Sequence, residues 1–411
     1  MGEPAASAGW ARGSGAVDYE ARVDMARLRA GRLERVQRAL RDAGLDAVLV
    51  WKEENVRYLT SLRPQVLAGK SGVLNGALFG RDGEPVLFIS GGDRDRAEAT
   101  MPWIAEFHTI PILEEPGLIR HVASEIIPKA LARHGVLNGK VGLDIASKLL
   151  MGALDESCPR VRWVDGDAAM QASRRIKTPE ELVLIEEATV IAEAVTATAI
   201  GHVREGVREC EVAGEALRTL YCLGGEYTHA TTPFVASGER MAPPTRLATD
   251  KLIREGDLVF IDIGAMWNGY FGDIGRTVVC GTPSGEQRRI YRAVWESLQA
   301  GIAAMRPGAT NVEVAAAIRA KAQAFGLGQH LLSLFIGHGI GSGSNEPPYI
   351  GEAIPGAASV ALEAGMVFAL EPLIWVPGVP GGGGIRLEDM VVVTADGARK
   401  ISRSPYCEAL L

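Results

Sequence analysis

The pair Asn268-Gly269 stands between two strand-like runs, "DLVFIDIGAMW" and "YFGDIGRTVVCG", and constrains this chain more than any other feature. A two-residue hairpin turn needs positive φ at both central residues, which Asn-Gly supplies. The turn sets a register. Gly264 falls opposite Asp273, and Asp262 lies on the same face, diagonal to Asp273, at roughly 7 to 8 Å between backbone positions. Two carboxylates therefore converge in a half-buried sheet, where they repel and lose hydration unless a cation or proton separates them. A metal is the economical answer. Alone, the Asp262/Asp273 spacing is weak evidence, because aspartates at hairpin ends commonly cap turns.

Further polar residues interrupt apolar segments downstream. Glu371 breaks the strand-like "GMVFALEPLIWV", and Glu388 breaks "GGGGIRLEDMVVVT"; the glycine-rich loop between the two lets these strands lie as neighbours. His338 sits in the glycine turn "FIGHGIGSGSNEPPYIG". Each has a plain structural reading: Glu388 could pair with Arg386 or face solvent, and His338 could be a satisfied core histidine. Together they form a set of four carboxylates and one imidazole. Such an oxygen-rich shell suits two adjacent divalent ions, manganese first, with iron, cobalt or zinc as alternatives. Four carboxylates nearly balance two dications and leave room for a bridging hydroxide.

These residues lie in a duplicated region. "EGVRECEVAGEALRTLYCLG" and "PGATNVEVAAAIRAKAQAFGLG" share Gly206/Gly308 and Glu211/Glu313 at a constant offset of 102 residues. Each follows a long helix and precedes strand-rich sequence, which predicts one α+β domain with pseudo-two-fold internal symmetry. Upstream, helical and strand patterns alternate as in an α/β domain: a helix ending at Gly44, the strand "DAVLVW", a hairpin turning at Asp82-Gly83, the helix "GLIRHVASEIIPKALARHG" and the strand "GKVGLDIA". Thr178, Pro179 and Glu181 form a capping box that opens a long helix just beyond the domain boundary. The expected organisation is a flexible tail over 1–18, an N-terminal domain over 19–170 and a catalytic domain over 171–411.

The 411 residues carry a formal net charge of -7 with interspersed signs, which suggests no nucleic-acid or membrane surface. Five widely spaced cysteines lack a C-x-x-C pair, and the start has no signal-peptide core; a reducing cytoplasm is expected.

The ordered set Asp262, Asp273, "GHGIG", "LEP" and "RLED" resembles the pita-bread metallopeptidases, the family of methionine aminopeptidase, prolidase and aminopeptidase P. Residues 19 to 165 are similar to the creatinase/prolidase N-terminal domain, and "RRIKTPEEL" to the family's interdomain junction. The resemblance implies that Asp262, Asp273, His338, Glu371 and Glu388 are metal ligands and that Glu371 accepts the proton of the attacking water. It implies a dinuclear hydrolase of the Xaa-Pro peptidase type, cleaving an amide C–N bond in a short peptide or small amide, and a homodimer. Peptidase members carry histidines where this chain has Thr245 and Asn345, so these two become candidate substrate-binding positions. His229 is a candidate catalytic replacement, and Arg386 a candidate for orienting a substrate carboxylate or oxyanion. Phrases such as "ENVRYLTSL" and "SRSPYCEALL" look closer to the small-molecule branch that includes dimethylsulfoniopropionate lyase, so a lyase is the alternative. A non-catalytic binding protein is a third reading, disfavoured by the intact ligand set.

Overall fold

The computed structural model describes residues 17–64, 75–226, 233–355 and 359–411. They form two units, one through Arg174 and one from Arg175.

The first unit is built on a six-stranded mixed sheet. Its order is Glu106–Ile110, Val86–Ser90, Gly76–Gly80, Ala47–Val50, Lys140–Leu143 and Arg162–Asp165. Strand alternation divides its core: Ala47 and Leu49 pack into one apolar cluster, Val48 and Val50 into the other. Sequence and structure agree on the hairpin, since Gly76–Gly80 and Val86–Ser90 pair antiparallel around the Asp82-Gly83 turn. The first helix runs Met25–Ala43, six residues after the helically spaced run begins at Tyr19, because the Asp24 carboxylate accepts from the Ala26 and Arg27 amides and fixes the start there. Gly44, at φ 62°, ends it. The expected single helix from Gly117 is interrupted by a π-turn over Val122–Ile126, just before Pro128, which has no N–H to continue the regular ladder.

In the second unit the duplication is visible in backbone chemistry. Helices Pro179–His202 and Glu209–Cys222 form one half, Gly285–Ala304 and Asn311–Ala324 the other. Thr178/Glu181 and Thr310/Glu313 make reciprocal capping boxes, as does Ser284/Gln287. Gly206 and Gly308 share positive φ values of 80° and 85°. Their amides donate to the equivalent carbonyls of Ile253 and Leu362, each at 2.9 Å. Short bridges Arg208 to Leu252 and Thr310 to Ala361 repeat the same contact.

The two halves supply a three-stranded sheet, Phe234–Ser237, Leu258–Trp267 and Tyr270–Val279, and a five-stranded one centred on Gly337–Gly339, Val367–Leu370 and Asp389–Val393. The strands Leu373–Trp375 and Gly384–Arg386 pair separately. Helix Pro179–His202 lies directly on the Tyr270–Val279 strand: a Cβ at Gly272 would meet the Thr189 amide nitrogen at 2.4 Å. No helix among the described residues is long and apolar enough to cross a membrane.

Candidate metal centre

The hairpin takes the register that its turn dictates. Asn268 and Gly269 adopt φ 47° and 79°, Gly264 pairs with Asp273, and Asp262 pairs with Gly275. Asp262 and Asp273 therefore share a face of the hairpin. From the second half, His338 sits on the short strand Gly337–Gly339, Glu371 follows Val367–Leu370, and Glu388 lies between Gly384–Arg386 and Asp389–Val393. The Glu388 amide donates to the Gly275 carbonyl at 2.9 Å, which ties the two halves together at the site.

Asp273, His338 and Glu388 each present a ligand atom within 4.8 Å of the others. His338 Nε2 is 4.0 Å from Asp273 Oδ2 and 3.4 Å from Glu371 Oε1. The opposite ring nitrogen, Nδ1, lies 3.0 Å from the Gly339 carbonyl, so the proton belongs on Nδ1 and the Nε2 lone pair faces the carboxylates. Phe335 stacks on the imidazole with ring centroids 5.6 Å apart. Asp262 and Glu371 join the group through Arg386, whose Nη1 is 3.2 Å from Asp262 Oδ2 and 2.8 Å from Glu371 Oε2.

All the acids except partly exposed Asp273 are buried. Burial, followed by the charges of Asp262 and Glu371, pushes the Asp273 carboxyl well above its ordinary range. Burial, then Asp273 and Asp262, does the same to Glu388. Asp262 is also raised, by burial opposed mainly by Arg386. Arg386 responds in the other direction: desolvation would lower its affinity for a proton, but the surrounding carboxylates hold the guanidinium firmly charged.

One cation does not satisfy this many acceptors. Asp273 Oδ1 and Glu388 Oε2 are buried and accept no hydrogen bond from the described residues. Bare carboxylate oxygens beside an imidazole lone pair are a donor set suited to a hard or borderline divalent ion.

The remaining candidates are placed differently. Arg386 is almost completely buried and committed to Asp262 and Glu371, so its guanidinium braces the carboxylates. Thr245 is exposed and its hydroxyl donates to the Arg240 carbonyl; Asn345 is exposed and accepts from Ser344. His229 lies outside the described residues. Two supports went unnoticed in the sequence. Gly275 leaves the space that Glu388 occupies: an added Cβ would meet Glu388 Oε2 at 2.8 Å. Arg276, paired with Asp389 at 2.9 Å, also holds the Glu388 carbonyl. The arginines close to Asp273 and Glu388 in the sequence, Arg276 and Arg386, were the available signal.

The family model "Metallopeptidase family M24" matches residues 183–395, and "Creatinase/Prolidase N-terminal domain" matches residues 32–176. The chain belongs to metallopeptidase family M24. Among M24 relatives, a Pyrococcus horikoshii Xaa-Pro dipeptidase is 30% identical over 363 residues, 88% of this chain and 93% of that one. A Pyrococcus furiosus Xaa-Pro dipeptidase is 37% identical over 238 residues, 58% of this chain and 66% of that one. The solved structure of an Xaa-Pro dipeptidase from Bacillus anthracis superposes with a TM-score of 0.76 at 28% identity, covering 92% of this chain and 98% of that one. This M24 chain is therefore a metal-dependent hydrolase with a creatinase-type N-terminal domain and a pita-bread catalytic domain.

Proposed function

We propose that the chain is a dipeptidase of the Xaa-Pro type, with Asp262, Asp273, His338, Glu371 and Glu388 holding two divalent ions, manganese first. The observation that carries this reading is the pair of buried, unbonded oxygens, Asp273 Oδ1 and Glu388 Oε2, beside the His338 lone pair. The M24 relatives named Xaa-Pro dipeptidases supply the substrate class.

When bound, the ions lower the pKa of water and polarise the scissile carbonyl. The protein's own groups do the rest. Arg386 engages Glu371 through Oε2, which leaves Oε1, on the His338 side, as the oxygen that accepts a proton from the attacking water and passes it to the leaving nitrogen. The Nδ1–H contact to Gly339 keeps His338 in the tautomer whose Nε2 donates its lone pair. Arg386 fixes Asp262 and Glu371 against their mutual repulsion.

Manganese-loaded protein should hydrolyse Xaa-Pro dipeptides with uptake of one oxygen from labelled water. Glu371→Gln should lower kcat below about one per cent of wild type while the fold is retained. Turnover above that level removes Glu371 from its role, and products free of solvent oxygen exclude hydrolysis. A homodimer in a reducing cytoplasm completes the reading; sedimentation of the full chain tests the dimer.

A further inference from the structure

Among the described residues around the site, one cation is left uncommitted. Arg386 is held by Asp262 and Glu371, Lys177 by Glu346 at 3.2 Å, Arg276 by Asp389 at 2.9 Å, and Arg240 by Glu209 at 3.2 Å. Between His338 and Glu371 the sequence contains no lysine or arginine. Arg246 is exposed, and its guanidinium has no ion pair or hydrogen bond among the described residues; it lies over the Phe234 ring, 5.6 Å from the centroid.

That ring points to the site. Phe234 pairs with Asp262 across the antiparallel ladder, and directly paired residues project from the same face of a sheet. Leu247 bridges Phe234 from the other side, so the chain around Arg246 runs alongside the strand next to Asp262.

A dipeptide creates a specific demand here. Its C-terminal carboxylate is one residue from the scissile amide, so it must sit close to a cage of four carboxylates that repels it. An arginine offers a bidentate match to a carboxylate, and stacking on an aromatic ring preorganises the guanidinium. We propose that Arg246 receives the free carboxylate of the substrate and restricts the site to short peptides that end one residue beyond the cleaved bond. The assignment rests on the dipeptidase reading above and deepens it.

The test uses the full-length, manganese-loaded protein and a non-hydrolysable Xaa-Pro analogue with a reduced amide linkage, as free acid and as C-terminal amide. Calorimetric titration should show the acid binding on the order of tenfold more tightly, the worth of one charge-assisted bidentate contact. Arg246→Gln should collapse the ratio toward one, and Arg246→Lys should restore part of it. Arg254→Gln, which removes an exposed arginine paired with Glu239, should keep the wild-type ratio. A ratio unchanged in Arg246→Gln, or wild type that binds both forms equally or neither, overturns the proposal. Wild type that prefers the acid analogue but leaves true dipeptides uncut refutes the hydrolase reading alone. Cleavage of acid and amide dipeptides with equal kcat/KM refutes the Arg246 assignment alone.

Discussion

Gly275→Ala separates the fit of Glu388 from its chemistry. Gly275 is a strand residue without positive φ, so its backbone accepts alanine and only space is at issue. The new Cβ would stand 2.8 Å from Glu388 Oε2, 2.9 Å from Glu388 Cβ and 3.6 Å from Arg386 Cδ. Carbon atoms rest roughly 3.5 to 4.0 Å apart, so the contact with Glu388 Cβ is short by about 0.6 Å or more. Neither Cβ can rotate away, and the Glu388 amide bond to the Gly275 carbonyl stops the strands from separating freely. Glu388 must shift by about half an ångström, beyond the ~0.2 Å tolerance of a metal–ligand distance. We expect manganese affinity to fall about 10- to 100-fold and metal-free stability to fall by about 1 to 3 kcal/mol. Calorimetric titration of metal-stripped protein reads the first, and urea unfolding the second. Gly142→Ala is the control: its Cβ would meet Gly166 Cα at 2.7 Å, Leu45 Cδ1 at 3.0 Å and Val48 Cγ1 at 3.1 Å, none of them next to a candidate ligand in the chain, so stability should suffer without loss of metal affinity. Manganese affinity within about twofold of wild type in Gly275→Ala would refute the placement of Glu388 as a ligand.

Glu209 is fully buried and accepts from the Ser237 amide and hydroxyl at 2.7 and 2.9 Å and from the Thr249 amide and hydroxyl, both at 3.0 Å, besides pairing with Arg240. Glu209→Ala should cost about 3 to 5 kcal/mol in urea unfolding, and a loss under about 1 kcal/mol would contradict the network. The metal-free protein should respond to pH with a definite sign. Asp273 and Glu388 have folded values raised above their ordinary 3.8 and 4.5, so the unfolded state releases these protons first and stability is lost as pH rises above those ordinary values. Manganese cancels the repulsion, so its effect on Tm should grow between about pH 5 and about pH 7.5; a gain that shrinks over that range would sink the argument.

The hairpin register was readable because Asn268-Gly269 is local chemistry: a two-residue turn permits one pairing, and the pairing puts Asp262 and Asp273 on one face. The start of the long helix was readable for the same reason, since its cap is settled within four residues, at Thr178/Glu181. The duplicated Gly206 and Gly308 announced a repeat because both must adopt positive φ. Arg386 shows the limit. A lone arginine two residues before Glu388 reads as a substrate contact, yet packing brings it between Asp262, 124 positions away, and Glu371. Glu209 was equally silent, because its three partners, Ser237, Arg240 and Thr249, lie 28 to 40 positions further along the chain.

The sequence by itself determined the turns, the caps, the repeat and the identity of the acids, all of which depend on neighbours along the chain. Tertiary structure decided which of those acids share a space, which cation is spent holding them and which, Arg246, is left facing outward. The reason is electrostatic: the cost of a buried charge depends on what surrounds it in three dimensions, and that surrounding exists only once the two halves have closed on each other.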